Sequence, residues 1–443
     1  MKNEKLLYVE TFGCQMNVSD SEKIVSMLKE IGYSPTENAS EADLIILNTC
    51  TVRAKAEHKL YSLLGRFKDL KRTNEKLMLG VGGCVAQQEG ERLLKKAPYL
   101  NLVFGTHNLH MVQEMVIKAE QGRRIAHVDF IDNERRIDLF PKTDDVGPVT
   151  RFVTIMQGCD NYCSYCIVPY VRGREISRRS SEIIDEIRKM ADNGVKEVTL
   201  LGQNVNSYGN KNPGECDFPE LIRKVAAVDG IERIRFTTSH PKDISSSLIE
   251  CFASLSKLCG HIHLPAQSGS DSILARMLRG YTRKEYLGKA EDLKNARPDI
   301  QITGDMIVGF PGETEEDFAL TLSLMEEVQY ADLFSFVFSE RPETEAAGYT
   351  DKIPLEEMRN RLDKLQSFQK KITLDRNRSY IGSIQRILVE GKSKQADQLF
   401  GRTCGNRIVN FTGDQSLVGE FVSVRISRAF QNSLLGELLQ DNE

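Results

Sequence analysis

Six of the ten cysteines in this 443-residue chain stand where thiolates could hold iron. Three lie in Gly158-Cys159-Asp160-Asn161-Tyr162-Cys163-Ser164-Tyr165-Cys166, a C-x3-C-x2-C loop just after the strand candidate Phe152 to Met156. Three thiolates can occupy three irons of a 4Fe-4S cube and leave the fourth iron open, whereas a structural zinc or an electron-transfer cluster is normally closed by a fourth ligand. An open iron can bind a substrate. A zinc site that borrows a histidine is the plain alternative. No histidine lies in the loop, and the carboxyl end of a barrel strand is a place for catalysis.

Cys14, Cys50 and Cys84 are far apart in sequence, yet each closes an apolar run: Tyr8-Val9-Glu10-Thr11-Phe12-Gly13-Cys14, Leu44-Ile45-Ile46-Leu47-Asn48-Thr49-Cys50 and Leu79-Gly80-Val81-Gly82-Gly83-Cys84. In a parallel sheet such ends share one edge, outside which ligands of open α/β sheets bind, so three thiols from three strands can converge on a second cluster. Gly13, Gly82 and Gly83 would let backbone approach closely. The competing reading is three unrelated core cysteines. Cys216, Cys251, Cys259 and Cys404 show no such pattern and read as ordinary thiols.

The elements that must position these residues follow from periodicity. Up to about residue 120, apolar runs at Leu6 to Val9, Leu44 to Leu47 and Leu77 to Val81 alternate with helix-period stretches at Ser21 to Ile31 and His58 to Leu70, which predicts a small doubly wound α/β domain. Asp129 to Val149, polar and carrying Pro141 and Pro148, reads as a linker. Six strand-helix units follow, with strands at Phe152 to Met156, Glu197 to Leu201, Arg233 to Thr237, His261 to Leu264, Gln301 to Val308 and Leu333 to Phe338, and a long helix from Leu355 to about Arg378 closes them. They predict a partial (β/α)6 barrel with its site at the carboxyl ends of the strands. Short alternating segments after Tyr380, at Gln385 to Glu390, Arg407 to Phe411 and Phe421 to Ile426, predict a small antiparallel β-barrel. The expected bounds are 1–125 for the first domain, 126–148 for the linker, 149–378 for the second domain and 379–443 for the third.

Bulk properties set limits. No apolar run reaches the roughly 18 residues of a membrane span and no signal-peptide core follows Met1, so the expected place is the cytoplasm, with no membrane partner. There, clustered cysteines mean metal or redox sites and not a disulfide framework. A net charge of −4 gives no global attraction to nucleic acid, so RNA contact would need a local basic face. No G-x-G-x-x-G follows the first strand, which argues against a dinucleotide site.

Across nearly its whole length the chain resembles the radical S-adenosylmethionine (SAM) methylthiotransferase family, closest to its MiaB type, which acts on tRNA. The resemblance is carried by Thr11-Phe12-Gly13-Cys14-Gln15-Met16-Asn17, by Asn48-Thr49-Cys50-Thr51-Val52-Arg53, by Gln157 through Arg174 (QGCDNYCSYCIVPYVRGR) and by the domain order. It implies that the last domain is TRAM-like and binds RNA. It also implies two 4Fe-4S clusters, a radical-SAM one on Cys159, Cys163 and Cys166 and an auxiliary one on Cys14, Cys50 and Cys84. The implied reaction is methylthiolation of carbon 2 of N6-isopentenyladenosine, immediately 3′ to the anticodon. One SAM molecule gives its methyl group to sulfur at the auxiliary cluster, and another is cleaved reductively to a 5′-deoxyadenosyl radical that takes the hydrogen from that carbon. A reducing partner such as flavodoxin or ferredoxin and a sulfur and iron delivery system are implied with it.

Candidates for holding SAM are Tyr165, the strand-end residues Gln203, Asn204, Ser239, Gln267 and Ser268, and Asp305, upstream of Ile307-Val308-Gly309-Phe310-Pro311-Gly312-Glu313. Each is also a residue type that turns favour. Arg172, Arg174, Arg178 and Arg179 form a basic run suited to phosphates of the tRNA anticodon stem-loop. A departure from the family pattern occurs in Phe338-Ser339-Glu340-Arg341-Pro342-Glu343, where Glu340 and Glu343 replace proline and glycine. Other readings are methylthiolation of threonylcarbamoyladenosine or of a ribosomal-protein aspartate, and, in a different class, a noncatalytic iron–sulfur RNA-binding redox sensor.

Overall fold

The computed structural model describes residues 5–51, 54–132, 136, 139, 149–395 and 397–439. Val52 and Arg53 of the second cysteine motif, and most of the expected linker with Pro141 and Pro148, lie outside the described residues.

The first unit is a six-stranded parallel sheet of β1 (Lys5–Phe12), β2 (Tyr33–Pro35), β3 (Leu44–Thr49), β4 (Met78–Gly83), β5 (Leu102–Phe104) and β6 (Ile125–His127), in the order β2-β1-β3-β4-β5-β6. β3 and β4 are buried along their whole length, which is why they read as continuous apolar runs. Ile45 and Leu47 face Leu60, Leu64 and Phe67 of the helix Ala54–Thr73, while Leu44 and Ile46 face Ile24 and Leu28 of the helix Gln15–Lys29 and Val112 and Met115 of the helix Val112–Glu120. Helices thus cover both faces.

In the second unit β7 (Thr150–Thr154) continues into β8 (Met156–Gln157), which pairs antiparallel with β9 (Ile176–Ser177) around the cysteine loop. β10 (Glu197–Leu201), β11 (Arg233–Phe236), β12 (His261–His263), β13 (Gln301–Val308) and β14 (Asp332–Val337) follow, all parallel. Two three-stranded sheets, β7-β10-β11 and β12-β13-β14, are joined by a parallel bridge between Ile234 and Leu258 into one open arc. A single apolar core fills the arc and its helices, from Val153 through Leu200, Phe236, Ile262 and Val308 to Leu365. Thr282 with Glu285 and Thr314 with Asp317 form capping boxes that start two of the outer helices.

The third unit is a closed barrel of β15 (Ile384–Lys392), β16 (Gln398–Thr403), β17 (Ile408–Thr412), β18 (Phe421–Ala429) and β19 (Leu434–Leu438). It is not wholly antiparallel as expected, because β17 pairs parallel with β19 to close the ring. The barrel docks on the amino ends of the second unit's strands. Arg233 donates to the carbonyls of Arg402 and Arg386, each at 2.7 Å, and Arg235 donates to those of Thr403 at 2.7 Å and Cys404 at 2.9 Å. The carboxyl ends are left for the site.

Candidate active site

Register brings the first triplet together. Phe12 of β1 is paired with Thr49 of β3, and Thr49 with Gly83 of β4, so Cys50 and Cys84 leave adjacent strands at the same level and Cys14 follows one residue later. Gly83 turns there with φ +91°; a Cβ on it would come within 2.5 Å of the Thr49 carbonyl oxygen. The asparagines of the two motifs hold the edge. Asn48 Nδ2 donates to the Asn17 carbonyl at 2.8 Å and to Ser21 Oγ at 2.9 Å, and Cys14 Sγ lies 3.4 Å from Asn17 Oδ1. Cys50 hydrogen-bonds both other thiols. That contact lowers Cys14 to about 6 and Cys84 to about 7, with further help from the nearby charge of Arg172, while Cys50 is raised well above the usual thiol range. A site that yields two thiolates near neutral pH suits metal ligation.

The second triplet lies in the loop between β8 and β9. Gln203 Oε1 accepts the Gly158 amide at 2.6 Å and so ties the cysteine loop to the end of β10, and the Cys166 amide closes a turn on the Cys163 carbonyl at 2.9 Å. Burial raises Cys159 to about 11 and Cys166 further. A cation stands against the third thiol, that of Cys163. Arg279, buried, donates Nη1 to Cys163 Sγ at 3.4 Å and to the Tyr165 hydroxyl at 3.3 Å, and is itself held by the Pro265 carbonyl at 2.8 Å and the Tyr281 hydroxyl at 3.0 Å. Arg279 is absent from the sequence-based candidates because an isolated arginine after a helix carries no motif.

The two edges meet through the helix Val168–Arg172, which continues from the cysteine loop. Ile167 and Val171 pack on Cys84. Thr106 Oγ1 donates to the Val171 carbonyl at 2.5 Å, His107 Nε2 contacts the Arg172 carbonyl at 3.0 Å, and Arg136 donates to that carbonyl at 2.9 Å and to Gln157 Oε1 at 3.1 Å. On the other side Ser19 and Lys23, from the helix that starts after Cys14, reach Thr154 of β7 at 3.3 and 3.1 Å.

The remaining candidates divide. Asn204 and Ser239 are buried after β10 and β11, and Asn204 Oδ1 and Ser239 Oγ have no hydrogen-bond partner among the described residues. Gln267 sits at φ +76° in a parallel bridge with Met306. Ser268 is bound up in the loop, where its Oγ accepts from the Ser270 amide at 3.2 Å and lies 3.4 Å from Thr321 Oγ1 of an outer helix. Asp305 lies within β13, 3.3 Å from His263. The four arginines do not form one basic face, which corrects that expectation. Arg172 and Arg178 are 3% and 0% exposed and paired with Asp20 at 3.0 Å and Glu186 at 2.7 Å. Arg174 and Arg179 reach the surface, ion-paired with Asp160 and Glu182 at 3.1 and 3.0 Å.

Among the described residues no group of three His, Cys, Asp or Glu surrounds a single metal ion. A cube that bonds each thiolate through a different iron does not ask for one. Each triplet is all-sulfur and three-membered, and the unpartnered Asn204 and Ser239 oxygens lie on the edge where a polar cofactor would be received, so the residues fit a cluster with SAM. No helix among the described residues is long and apolar enough to cross a membrane.

Residues 6–105 match an uncharacterized protein family, UPF0004, residues 153–325 match the radical SAM superfamily, and residues 378–439 match the TRAM domain. The tRNA-2-methylthio-N(6)-dimethylallyladenosine synthase of Geobacter metallireducens is 68% identical over 438 residues, 99% of each chain. The chain belongs to that synthase family. Its counterpart in Geobacter sulfurreducens is 67% identical over 100% of this chain and 99% of its own. Among solved structures, the radical SAM methyltransferase TsrM from Kitasatospora setae, with tryptophan and a SAM analogue bound, shares the fold with a TM-score of 0.57 over 78% of this chain and 75% of its own at 13% identity. As a radical SAM enzyme, a member of this synthase family works with a 4Fe-4S cluster and SAM.

Proposed function

We propose that the enzyme methylthiolates carbon 2 of N6-isopentenyladenosine in tRNA, with Cys159, Cys163 and Cys166 holding the radical-SAM cluster and Cys14, Cys50 and Cys84 a second, auxiliary 4Fe-4S cluster. The observation that carries this reading is the packing of Ile167 and Val171, which follow directly on the second triplet's loop, against Cys84 of the first triplet. When bound, the clusters and SAM supply the radical and the sulfur, the hard chemistry that side chains cannot perform. The protein's own residues position and shield. Arg279 puts a fixed cation against Cys163, held in place by the Pro265 carbonyl and the Tyr281 hydroxyl. Gln203 fixes the loop, and Asn204, Ser239, Gln267 and Tyr165 stand where polar groups of SAM can be held. Ser268 and Asp305 have local partners that already explain them.

A cavity of about 580 Å³ beside the cysteine helix, lined by His107, Phe130, Ile131, Asp132, Pro169, Tyr170, Gly173, Arg174 and Glu343, suits the modified base. Its aromatic and aliphatic walls favour a prenyl chain over a threonylcarbamoyl carboxylate, since Arg174 is engaged by Asp160 and Glu343 would repel a second acid. In the barrel Arg425, Arg428, Lys392 and Lys394 are exposed, where they can meet phosphates, whereas Arg407 hydrogen-bonds to the Ala331 carbonyl across the docking face. Domain bounds near 125, 149 and 378, a cytoplasmic setting, a flavodoxin or ferredoxin as electron donor and an iron and sulfur delivery system complete the proposal.

The test is anaerobic reconstitution with iron and sulfide, reduction with SAM and an isopentenyladenosine-containing anticodon stem-loop, and mass spectrometry of the nucleosides. A methylthio product on that nucleoside supports the reading. Formation of 5′-deoxyadenosine with the stem-loop unmodified would keep the radical chemistry and reject the substrate.

A further inference from the structure

Arg172 belongs to the radical-SAM loop helix, yet its side chain enters the three-thiol edge of the first unit. Its guanidinium is buried and pairs through Nη2 with Asp20 Oδ2 at 3.0 Å, on the helix that begins directly after Cys14. The preceding residue, Val171, packs on Cys84, which sets Arg172 beside that edge. Its backbone is immobilised by the hydrogen bonds that His107 and Arg136 make to its carbonyl oxygen. Nη1 is nevertheless left without a hydrogen-bond partner among the described residues. A buried guanidinium with one arm engaged and one idle is costly, and an anionic acceptor would remove that cost.

We propose that Arg172 is a positioning residue of the Cys14, Cys50 and Cys84 site, whose idle Nη1 donates to anionic sulfur bound there. This rests on the auxiliary-cluster reading given above. The residue would act on the sulfur in two ways, by fixing where it sits and by stabilising added negative charge, since a nearby cation favours the reduced and the anion-bound states of an iron–sulfur site. Lysine would keep the charge but not the planar fork, so it restores the second effect more fully than the first.

The experiment uses the full chain with Cys159, Cys163 and Cys166 all changed to Ala, so that only the first site can hold iron. Midpoint potential and the electron paramagnetic resonance response to added sodium sulfide are then measured for this parent and for Arg172→Gln, Arg172→Lys and Asp20→Asn on the same background. With about four irons in the parent, R172Q is expected to shift the potential negative and to weaken sulfide binding by roughly tenfold or more, the loss of one charge-assisted hydrogen bond. R172K should recover the potential and only part of the sulfide affinity. Unchanged potential and sulfide response in R172Q would overturn the role of Arg172 and leave the cluster reading intact, whereas a parent that binds no iron would overturn the cluster reading itself. Should R172Q fail to hold iron, D20N decides. Removal of the carboxylate must shift the potential positive, and no shift overturns the proposal.

Discussion

Replacing Gly83 by Ala tests whether the edge geometry at Cys84 is as tightly determined as the structure shows. Gly83 has φ +91° and ψ −159°, a region essentially restricted to glycine, which costs an L-residue about 1–3 kcal/mol. The added Cβ would sit 2.5 Å from both the Thr49 carbonyl oxygen and Asn48 Oδ1. Neither atom can move cheaply: the first is backbone of the buried β3, and the second belongs to a side chain already bound to Asn17 and Ser21. Overpacking of this kind adds about 1–3 kcal/mol, for a total of about 2–6 kcal/mol, against a typical domain stability of about 5–15 kcal/mol. Because Cys84 is the next residue, strain relieved by backbone movement displaces its thiol. G83A should therefore unfold earlier in denaturant and lose the iron of the first site, falling from about eight to about four irons per chain, with the signal of the second site retained. An unchanged midpoint together with full iron content would refute the reasoning.

Cys163→Ala should abolish 5′-deoxyadenosine formation, while Cys50→Ala should leave SAM cleavage in place and stop sulfur insertion; equal loss of cleavage in both folded variants would remove that division of labour. Arg361→Met leaves Glu313, 0% exposed and accepting the Gly309 amide at 2.7 Å, without its cation at 2.7 Å, so denaturant unfolding should report a loss of about 3–5 kcal/mol; a loss below about 1 kcal/mol would contradict the burial argument. His107 is lowered from 6.5 to about 4, first by burial and then by Arg136. Between those values the unfolded chain binds the proton and the folded one does not, so this stabilisation is complete above about pH 6.5 and is lost as pH falls toward 4, by about 3 kcal/mol in all. His107→Gln should flatten that acid limb in pH-dependent unfolding, and an unaltered limb would assign it to other groups.

Long, uniformly apolar or strongly periodic elements were legible in the sequence. Gln301–Val308 and Leu355–Arg378 have the bounds that periodicity predicts, because their burial is decided along their own length. β2, β5 and β6 were not foreseen: at three residues each they are too short to show a period and exist because a neighbouring strand is there to pair with them. The six cysteines were singled out by position, whereas the arginines near them required the fold. Arg172 reads as part of a basic run until the docking of two units buries it, and Arg279 acquires meaning only when the turn after the helix Asp271–Arg276 brings it to Cys163. Glu343, noted as a departure from a glycine in the family pattern, adopts φ +68°, the conformation in which glycine is at ease. The parallel closure of the barrel by β19 was equally invisible, since strand direction follows from where the chain returns and not from side-chain alternation.

In the proposed reaction, a radical generated at one three-thiol edge is directed to carbon 2 of the adenine beside the other. The most direct measurement is a single-turnover reaction with an anticodon stem-loop carrying deuterium at that carbon, followed by mass spectrometry of 5′-deoxyadenosine. One deuterium in 5′-deoxyadenosine, matched by methylthio product, is expected. Abundant 5′-deoxyadenosine free of deuterium, beside methylthiolated nucleoside, would contradict the proposed reaction.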